Sequence, residues 1–309
     1  MPELPTIQST STRRVRRYRN GEAVDVEDYL VVEEPLEIRV GDRRFTVTMR
    51  TPGDDFDLVR GLLFTEGLIN SADDIGQMRY CDAVDLPPAP SSRGGDIDSD
   101  YDNIVVVRLK SEVDWAGRQW QRTLMSGTSC GLCGKAALDA VMSVASPIQS
   151  EAVVERPTLS AMAESMRSRQ PVFDRTGGLH AAGLFDVDGN CLAVYEDIGR
   201  HNATDKVIGR ALVEGWLRGG ADALRVNGTG ESCPSRAMGM PPGMVLLVSG
   251  RASFEITQKA LVVGIPIVAS VSAASTLAVD VAVAGNMTLI GFLRGGGMTV
   301  YAGADRIRG

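Results

Sequence analysis

The chain has 309 residues, 44% of them hydrophobic and 23% charged, with a net charge of −7. That length allows one large domain or two modest ones around a substantial core. The negative charge argues against a general nucleic-acid binder, and no apolar run approaches the ~20 residues that cross a bilayer.

Residues 1–25 are polar, and the basic run Arg13, Arg14, Arg16, Arg17 and Arg19 lacks the apolar stretch of a secretory signal. They read as a flexible, solvated arm on a cytoplasmic protein. Leu36–Val40 and Phe45–Met49 alternate apolar and polar residues around Gly41-Asp42, the pattern of a β-hairpin. Thr51-Pro52-Gly53-Asp54-Asp55 opens a helix through Leu58, Leu62 and Leu63, with Gly67 as its stop. The Pro-, Ser-, Gly- and Asp-rich stretch 82–103 has little to bury and reads as a surface insertion. Ile104–Leu109 is a strand. Residues 26–115 thus form a small α+β subdomain, and 116–309 a second domain.

The second domain has a different rhythm. Leu192–Tyr195, Met244–Val248, Ile265–Val271 and Met287–Phe292 suit buried strands, and Ala203–Leu217, Ser253–Val262 and Ser275–Val283 suit helices. This alternation predicts a parallel sheet covered by helices. A Gly/Pro/Ser-rich stretch at 219–243 reads as another insertion. In such a sheet ligands sit beyond the carboxyl ends of the strands, where polar residues crowd: Glu196 to Asn202 with Arg200 and His201, then Ser249 to Ser253 with Arg251, then Glu255 and Lys259, and finally Arg294-Gly295-Gly296-Gly297. Thr176-Gly177-Gly178-Leu179-His180 supplies a glycine turn and the second histidine.

Cys130-Gly131-Leu132-Cys133-Gly134 is the segment richest in chemistry. Two thiols stand one helical turn apart, ahead of the helix-like run Ala136, Ala137, Leu138, Ala140, Val141, Val144. Peptide dipoles and free N–H groups at a helix start favour the thiolate, and Lys135 adds positive charge. Such a pair suits a sulfur carrier, a dithiol redox couple, a metal knuckle or two buried hydrophobes. Zinc needs three or four ligands. No second CxxC accompanies this one, and Cys81, Cys191 and Cys233 are scattered. A zinc deaminase places H-x-E before P-C-x-x-C; here both histidines follow the cysteines and Ser129 precedes Cys130. Five cysteines, odd and sparse, do not form a disulfide framework.

Ser129 to Gly134, Thr176 to Ala182, Glu196 to Lys206, Ser249 to Glu255 and the tail from Ser272 through Phe292 to Tyr301 together resemble the FdhD family over roughly residues 30–309. The resemblance implies a sulfurtransferase that takes sulfur from a cysteine desulfurase as a persulfide on the CxxC loop. It implies delivery of that sulfur to the molybdenum cofactor, the bis(molybdopterin guanine dinucleotide) form, for formate dehydrogenase. It further implies a homodimer and an α/β catalytic domain similar to cytidine deaminases, three-layered and without their zinc. By carry-over Cys130 holds the persulfide and Cys133 assists. Phe292, Leu293, Arg294, Gly295, Gly296 and Gly297 form the family's cofactor-binding segment. Strand-end placement adds Arg251, His201, Arg200 and Lys259, and His180 is positioned to orient the cofactor or a thiol. A non-enzymatic cofactor chaperone and a dithiol oxidoreductase are the alternatives.

Overall fold

The structure, a computed structural model, describes residues 9–81, 101–110, 134–217 and 243–309. The insertion at 219–242, residues 82–100 and the CxxC pair lie outside them.

The N-terminal segment is the first departure from expectation. Where the sequence suggested a flexible arm over 1–25, β1 (Thr10–Arg19) and β2 (Glu22–Val31) pair as an antiparallel ribbon. Asn20 and Gly21 both have positive φ, 52° and 84°, as a two-residue type I′ turn requires. Asn-Gly is the strongest short-range sign of such a hairpin. The five arginines had masked it as a charge run.

A four-stranded sheet follows, in the order β4-β3-β6-β5. β3 (Glu34–Val40) and β4 (Arg43–Arg50) are the expected hairpin, β5 spans Ile75–Tyr80, and β6 is Ile104–Leu109. Helix α1 (Asp55–Thr65) starts with Asp55 and Asp57 in its first turn, favourable against the helix dipole. It ends where Gly67 turns left-handed at φ 73° and Leu68 N–H returns to Leu63 O at 2.9 Å.

Helix α2 (Gly134–Val144) is the expected helix after the cysteines, with Ala137 and Val141 buried. β7 (Val154–Glu155) leads into α3 (Arg156–Arg167) and the short α4 (Pro171–Thr176). Both helices carry proline in the first turn, where its missing N–H costs nothing. α3 turns Leu159, Met162 and Met166 inward, all at most 1% exposed.

The larger sheet has six strands in the order β13-β12-β11-β10-β8-β9. These are β8 (His180–Asp186), β9 (Cys191–Asp197), β10 (Met244–Val248), β11 (Ile267–Ser270), β12 (Thr288–Arg294) and β13 (Gly297–Ala302). The sheet is mixed rather than parallel. β10, β11 and β12 are mutually parallel, but β8 enters antiparallel between β9 and β10, and β13 closes the far edge antiparallel to β12. A four-residue turn makes β8–β9 a hairpin. Asp186 Oδ1 accepts the N–H groups of Asp188 (3.0 Å) and Asn190 (2.8 Å), and Gly189 takes φ 94°. Two antiparallel steps leave β9 running with β10, β11 and β12, so all four carboxyl ends still share one rim. His180 opens β8 at that rim, paired with Asp197.

Helices cover both faces of this sheet. Val245, Leu247, Ile267, Ala269, Ile290 and Leu293 pack with α3. Leu184, Leu246, Val248, Val268 and Leu289 pack with α5 (Arg200–Val213), α6 (Phe254–Val262) and α7 (Thr276–Ala284). That second core continues without a break through α1 into Leu36, Ile38, Val105 and Val107 of the four-stranded sheet. β14 (Ile307–Arg308) finally pairs with β7. Among the described residues no helix is long and apolar enough to cross a membrane.

Candidate functional site

A cavity of about 1030 Å³ opens at the rim. Its floor and one wall come from the sheet: His180 of β8, Ser249 after β10, Val271 after β11, and Leu293, Arg294, Gly295 and Gly296 of the β12–β13 hairpin. The opposite wall is α3 and α4, through Ser160, Glu164, Met166, Arg167, Gln170, Phe173 and Asp174, closed by Gly177-Gly178-Leu179. Apolar floor, convergent polar groups and a glycine turn are the ordinary makings of a small-molecule site.

The hairpin tip is shaped by its glycines. Arg294 pairs with Gly297, and both residues between them, Gly295 (φ 56°) and Gly296 (φ 77°), have positive φ. One residue earlier the strand bulges. Two residues, Phe292 and Leu293, oppose the single Met298, and Phe292 adopts φ 55°. The bulge turns Leu293 into the α3-side core at 1% exposure and leaves Phe292 39% exposed. Phe292 does not line the cavity. Among the described residues Arg294 makes no ion pair; its guanidinium lies 6.0 Å from the Phe292 ring centroid. It is a positive charge free to meet an anion.

His180 is half-buried on the cavity wall. Burial, reinforced by the positive charge of Arg200 and by His201, pushes its imidazole below the usual histidine value. It is a neutral donor–acceptor at physiological pH. Beside it, Ser249 Oγ accepts the Ala181 N–H at 2.8 Å and fixes the start of β8.

The remaining rim residues are engaged elsewhere. His201 Nε2 lies 2.6 Å from Glu255 Oε2. That bond from His201 holds the Glu255 carboxyl below the usual range. Lys259, expected beside the cofactor, is buried and points away: its Nζ donates to both carboxylate oxygens of Asp205 (2.8 and 2.9 Å) and to Thr65 Oγ1 (2.8 Å). Arg251 is exposed on the rim and Arg200 heads α5, but neither lines the cavity. Asp197, fully buried, binds Lys206 at 2.8 Å and accepts the N–H groups of Gly199 (2.9 Å) and Thr51 (3.3 Å). The polar run from Glu196 to Lys206 therefore braces the β9–α5 corner.

The α3–α4 wall carries the cavity residues that sequence inspection passed over. Arg167 lies over the Phe173 ring at 4.9 Å and pairs with Asp174 at 2.6 Å. The Glu196 carboxylate accepts the N–H groups of Val172 (3.0 Å) and Phe173 (2.7 Å), fastening α4 to the sheet. The inward spacing of Leu159, Met162 and Met166, and Pro171 at a helix start, were the available signals. Cys130 and Cys133 lie outside the described residues, and α2 begins at Gly134, directly after Cys133.

Comparison with known proteins places this architecture. The model of the FdhD/NarQ family matches residues 31–308. The chain is 46% identical to the sulfur carrier protein FdhD of Mycolicibacterium paratuberculosis, over 97% of its own length and 100% of that protein. It is 43% identical to the protein of the same name from Streptomyces avermitilis, over 96% of its own length and 95% of that protein. Among solved structures, a candidate formate dehydrogenase accessory protein from Desulfotalea psychrophila matches with a TM-score of 0.66 at 19% identity, covering 97% of this chain and 100% of that one; that likeness speaks to the fold. On the strength of the family match and the near-full-length relatives, this chain belongs to the FdhD/NarQ family.

Proposed function

We propose that the protein is a sulfur carrier of the sulfurtransferase type that serves formate dehydrogenase. It takes sulfane sulfur from a cysteine desulfurase onto Cys130 and delivers it to a molybdenum cofactor of the bis(molybdopterin guanine dinucleotide) form. In the first step the Cys130 thiolate attacks the outer sulfur of the donor's cysteine persulfide. The new S–S bond leaves the sulfur on Cys130, and the donor cysteine departs as its thiolate, so no net oxidant is needed. Cys133 assists or shares the sulfur. The protein acts as a homodimer, with the larger sheet and its helices as a cytidine deaminase-like domain without zinc.

The observation that carries this reading is the cavity lined by Arg294, Gly295 and Gly296 at the same rim as His180, in a chain 46% identical to proteins named sulfur carriers. The residues present fit an anionic, partly planar guest. The Arg294 guanidinium, without an ion pair among the described residues, and the exposed backbone of a glycine turn suit phosphate groups, and Phe173 and Val271 offer apolar surface to rings. Arg294 would hold a phosphate, and neutral His180 would orient the guest or exchange a proton with an incoming thiol.

Incubation with a cysteine desulfurase and cysteine, followed by intact mass spectrometry, should add about 32 Da per bound sulfur in a form that thiol reductants remove. Cys130→Ala should abolish the adduct. A chain that never gains sulfur but binds the cofactor would be a chaperone, and one that turns over a model disulfide would be an oxidoreductase. Arg294→Ala should weaken binding of GDP, used as the cofactor's phosphate-bearing fragment; equal affinity would refute the cavity assignment.

A further inference from the structure

Among the described residues, Gln170 is the one polar side chain lining the cavity that is itself buried, at 3% exposed. It stands between α3 and α4, and its amide has a fixed sense. The Met166 carbonyl, 3.2 Å away, can only accept, so Nε2 must turn to it and Oε1 away from it. Oε1 accepts no hydrogen bond among the described residues, yet it is not one of the sealed, unsatisfied atoms. The cavity is the space in which it can meet a donor.

Earlier on α3, Glu164 also lines the cavity. Its carboxylate makes no ion pair or hydrogen bond among the described residues, whereas Asp174 is claimed by Arg167 at 2.6 Å. A carboxylate left open to a cavity that otherwise suits anions weakens phosphate binding, unless the guest brings N–H groups to it. The cavity is thus divided in character. Donors stand on the sheet side, at Arg294 and the glycine hairpin, and acceptors without donors stand on the α3–α4 side.

We propose that Gln170 and Glu164 read the 2-amino-4-oxo edge that guanine and a pterin share, while the sheet side holds the phosphates. On that edge a ring N–H and an exocyclic amino group lie side by side as donors. A carboxylate takes two adjacent N–H groups together, as it does from arginine, which leaves the second amino hydrogen for Gln170 Oε1. Phe173, whose backbone N–H is fixed by Glu196 at 2.7 Å, supplies aromatic surface beside them. Adenine would set a ring lone pair against these oxygens, and hypoxanthine lacks the amino group. The wall therefore selects the rings of the guest. The inference rests on the cofactor reading of this cavity and is independent of the persulfide chemistry.

Calorimetric titration of the full chain with GDP, IDP and ADP tests it. Pterin-6-carboxylate against lumazine-6-carboxylate, which has oxygen in place of the amino group, tests the second source of the same edge. GDP should bind at least tenfold tighter than IDP, and ADP more weakly still, because a missing donor leaves Gln170 Oε1 unpaired. Glu164→Gln should lower the GDP-to-IDP preference while affinity for IDP holds or rises, since a negative charge has gone. A merely solvated charge at Glu164 would raise both affinities alike and leave their ratio intact. Gln170→Met should also lower the ratio, and Glu164→Gln, at an exposed helix position, keeps the test open should Gln170→Met fold poorly. A preference in the nucleotide pair assigns guanine to this wall, and one in the pterin pair alone assigns the pterin. No preference in either pair, or preferences indifferent to both substitutions, overturns the inference. A parent chain that binds none of these probes refutes the cavity reading along with it.

Discussion

Gly61 of α1 and Asp205 of α5 approach so closely that no β-carbon fits between the glycine and the Asp205 carbonyl. Gly209 of α5 stands in the same relation to the backbone of Asp57 on α1. The two helices meet main chain to main chain at both points. Their side chains then lock the contact, Asp57 binding Tyr195 (2.9 Å) and Arg210 (3.2 Å), Asp205 binding Thr65 (3.1 Å) and Lys259. This crossing joins the smaller sheet to the larger one that holds the cavity.

Substituting either glycine should therefore be costly, because the obstacle is backbone rather than a movable side chain. Gly61→Ala and Gly209→Ala should each lose about 3 kcal/mol or more, at the upper end of overpacking effects. Gly41→Ala is the control: it sits in open space at φ 60°, so only its left-handed backbone is penalised, by about 1 kcal/mol. Urea unfolding measures all three, and equal losses for Gly61 and Gly41 would remove the close-approach argument.

The Asp205–Lys259 pair is buried and satisfied, so breaking one half should hurt more than removing both. Lys259→Met strands a buried carboxylate and should cost about 3–5 kcal/mol, whereas adding Asp205→Leu should recover much of that loss. Every variant that folds should bind GDP as the parent does, since Lys259 faces away from the cavity. A double-mutant cycle by denaturation, with calorimetric titration of GDP, checks both statements. An affinity loss specific to Lys259→Met would return this lysine to the binding site.

His180 makes stability depend on pH with a definite sign. Its folded-state value lies below that of the unfolded chain, so in the window beneath about pH 6.5 the unfolded state takes up the proton first. Stability from this group is complete above that pH and declines as pH falls. Glu255, whose value is also depressed, loses its contribution only in the more acid range below the ordinary glutamate value of 4.5. Between about pH 7 and pH 5.5 the urea midpoint of wild type should fall more than that of His180→Gln. Parallel declines would show that His180 is not held neutral by the fold.

Phe292 carries backbone strain at an exposed position. A left-handed φ costs a residue with a β-carbon about 1 kcal/mol, which glycine does not incur. Phe292→Gly should leave the protein as stable or up to about 1 kcal/mol more so, despite deleting an aromatic ring. A loss above about 1 kcal/mol in thermal or urea unfolding would mean that the ring itself supports the hairpin.

Local elements were readable wherever one stretch of chain carried its own pattern. The alternation in Leu36–Val40 and Phe45–Met49, the start of α1 after Asp54 and its stop at Gly67, and the apolar runs of β10 to β12 with α6 and α7 all survive into the structure. The hairpin at Asn20-Gly21 was equally local and was obscured by the arginines around it. The cysteine pair and the rim motifs suffice for the family, because they lie in order along the chain.

What only the tertiary structure decided depends on groups far apart in sequence. His180–Asp186 is short and rich in small residues, and its place between β9 and β10 follows from Leu184 meeting Leu246 across 62 positions. Lys259 looked like a cofactor ligand from its rim position, but Asp205 and Thr65 claim it through contacts 54 and 194 residues distant. The α3–α4 wall and the hairpin tip at Arg294 become one cavity because β12 and β8 belong to a single sheet. Periodicity reports which face of an element is apolar. Which partner it buries against, and which charge loses its water there, is set by chain closure over long distances, and only the folded arrangement carries that information.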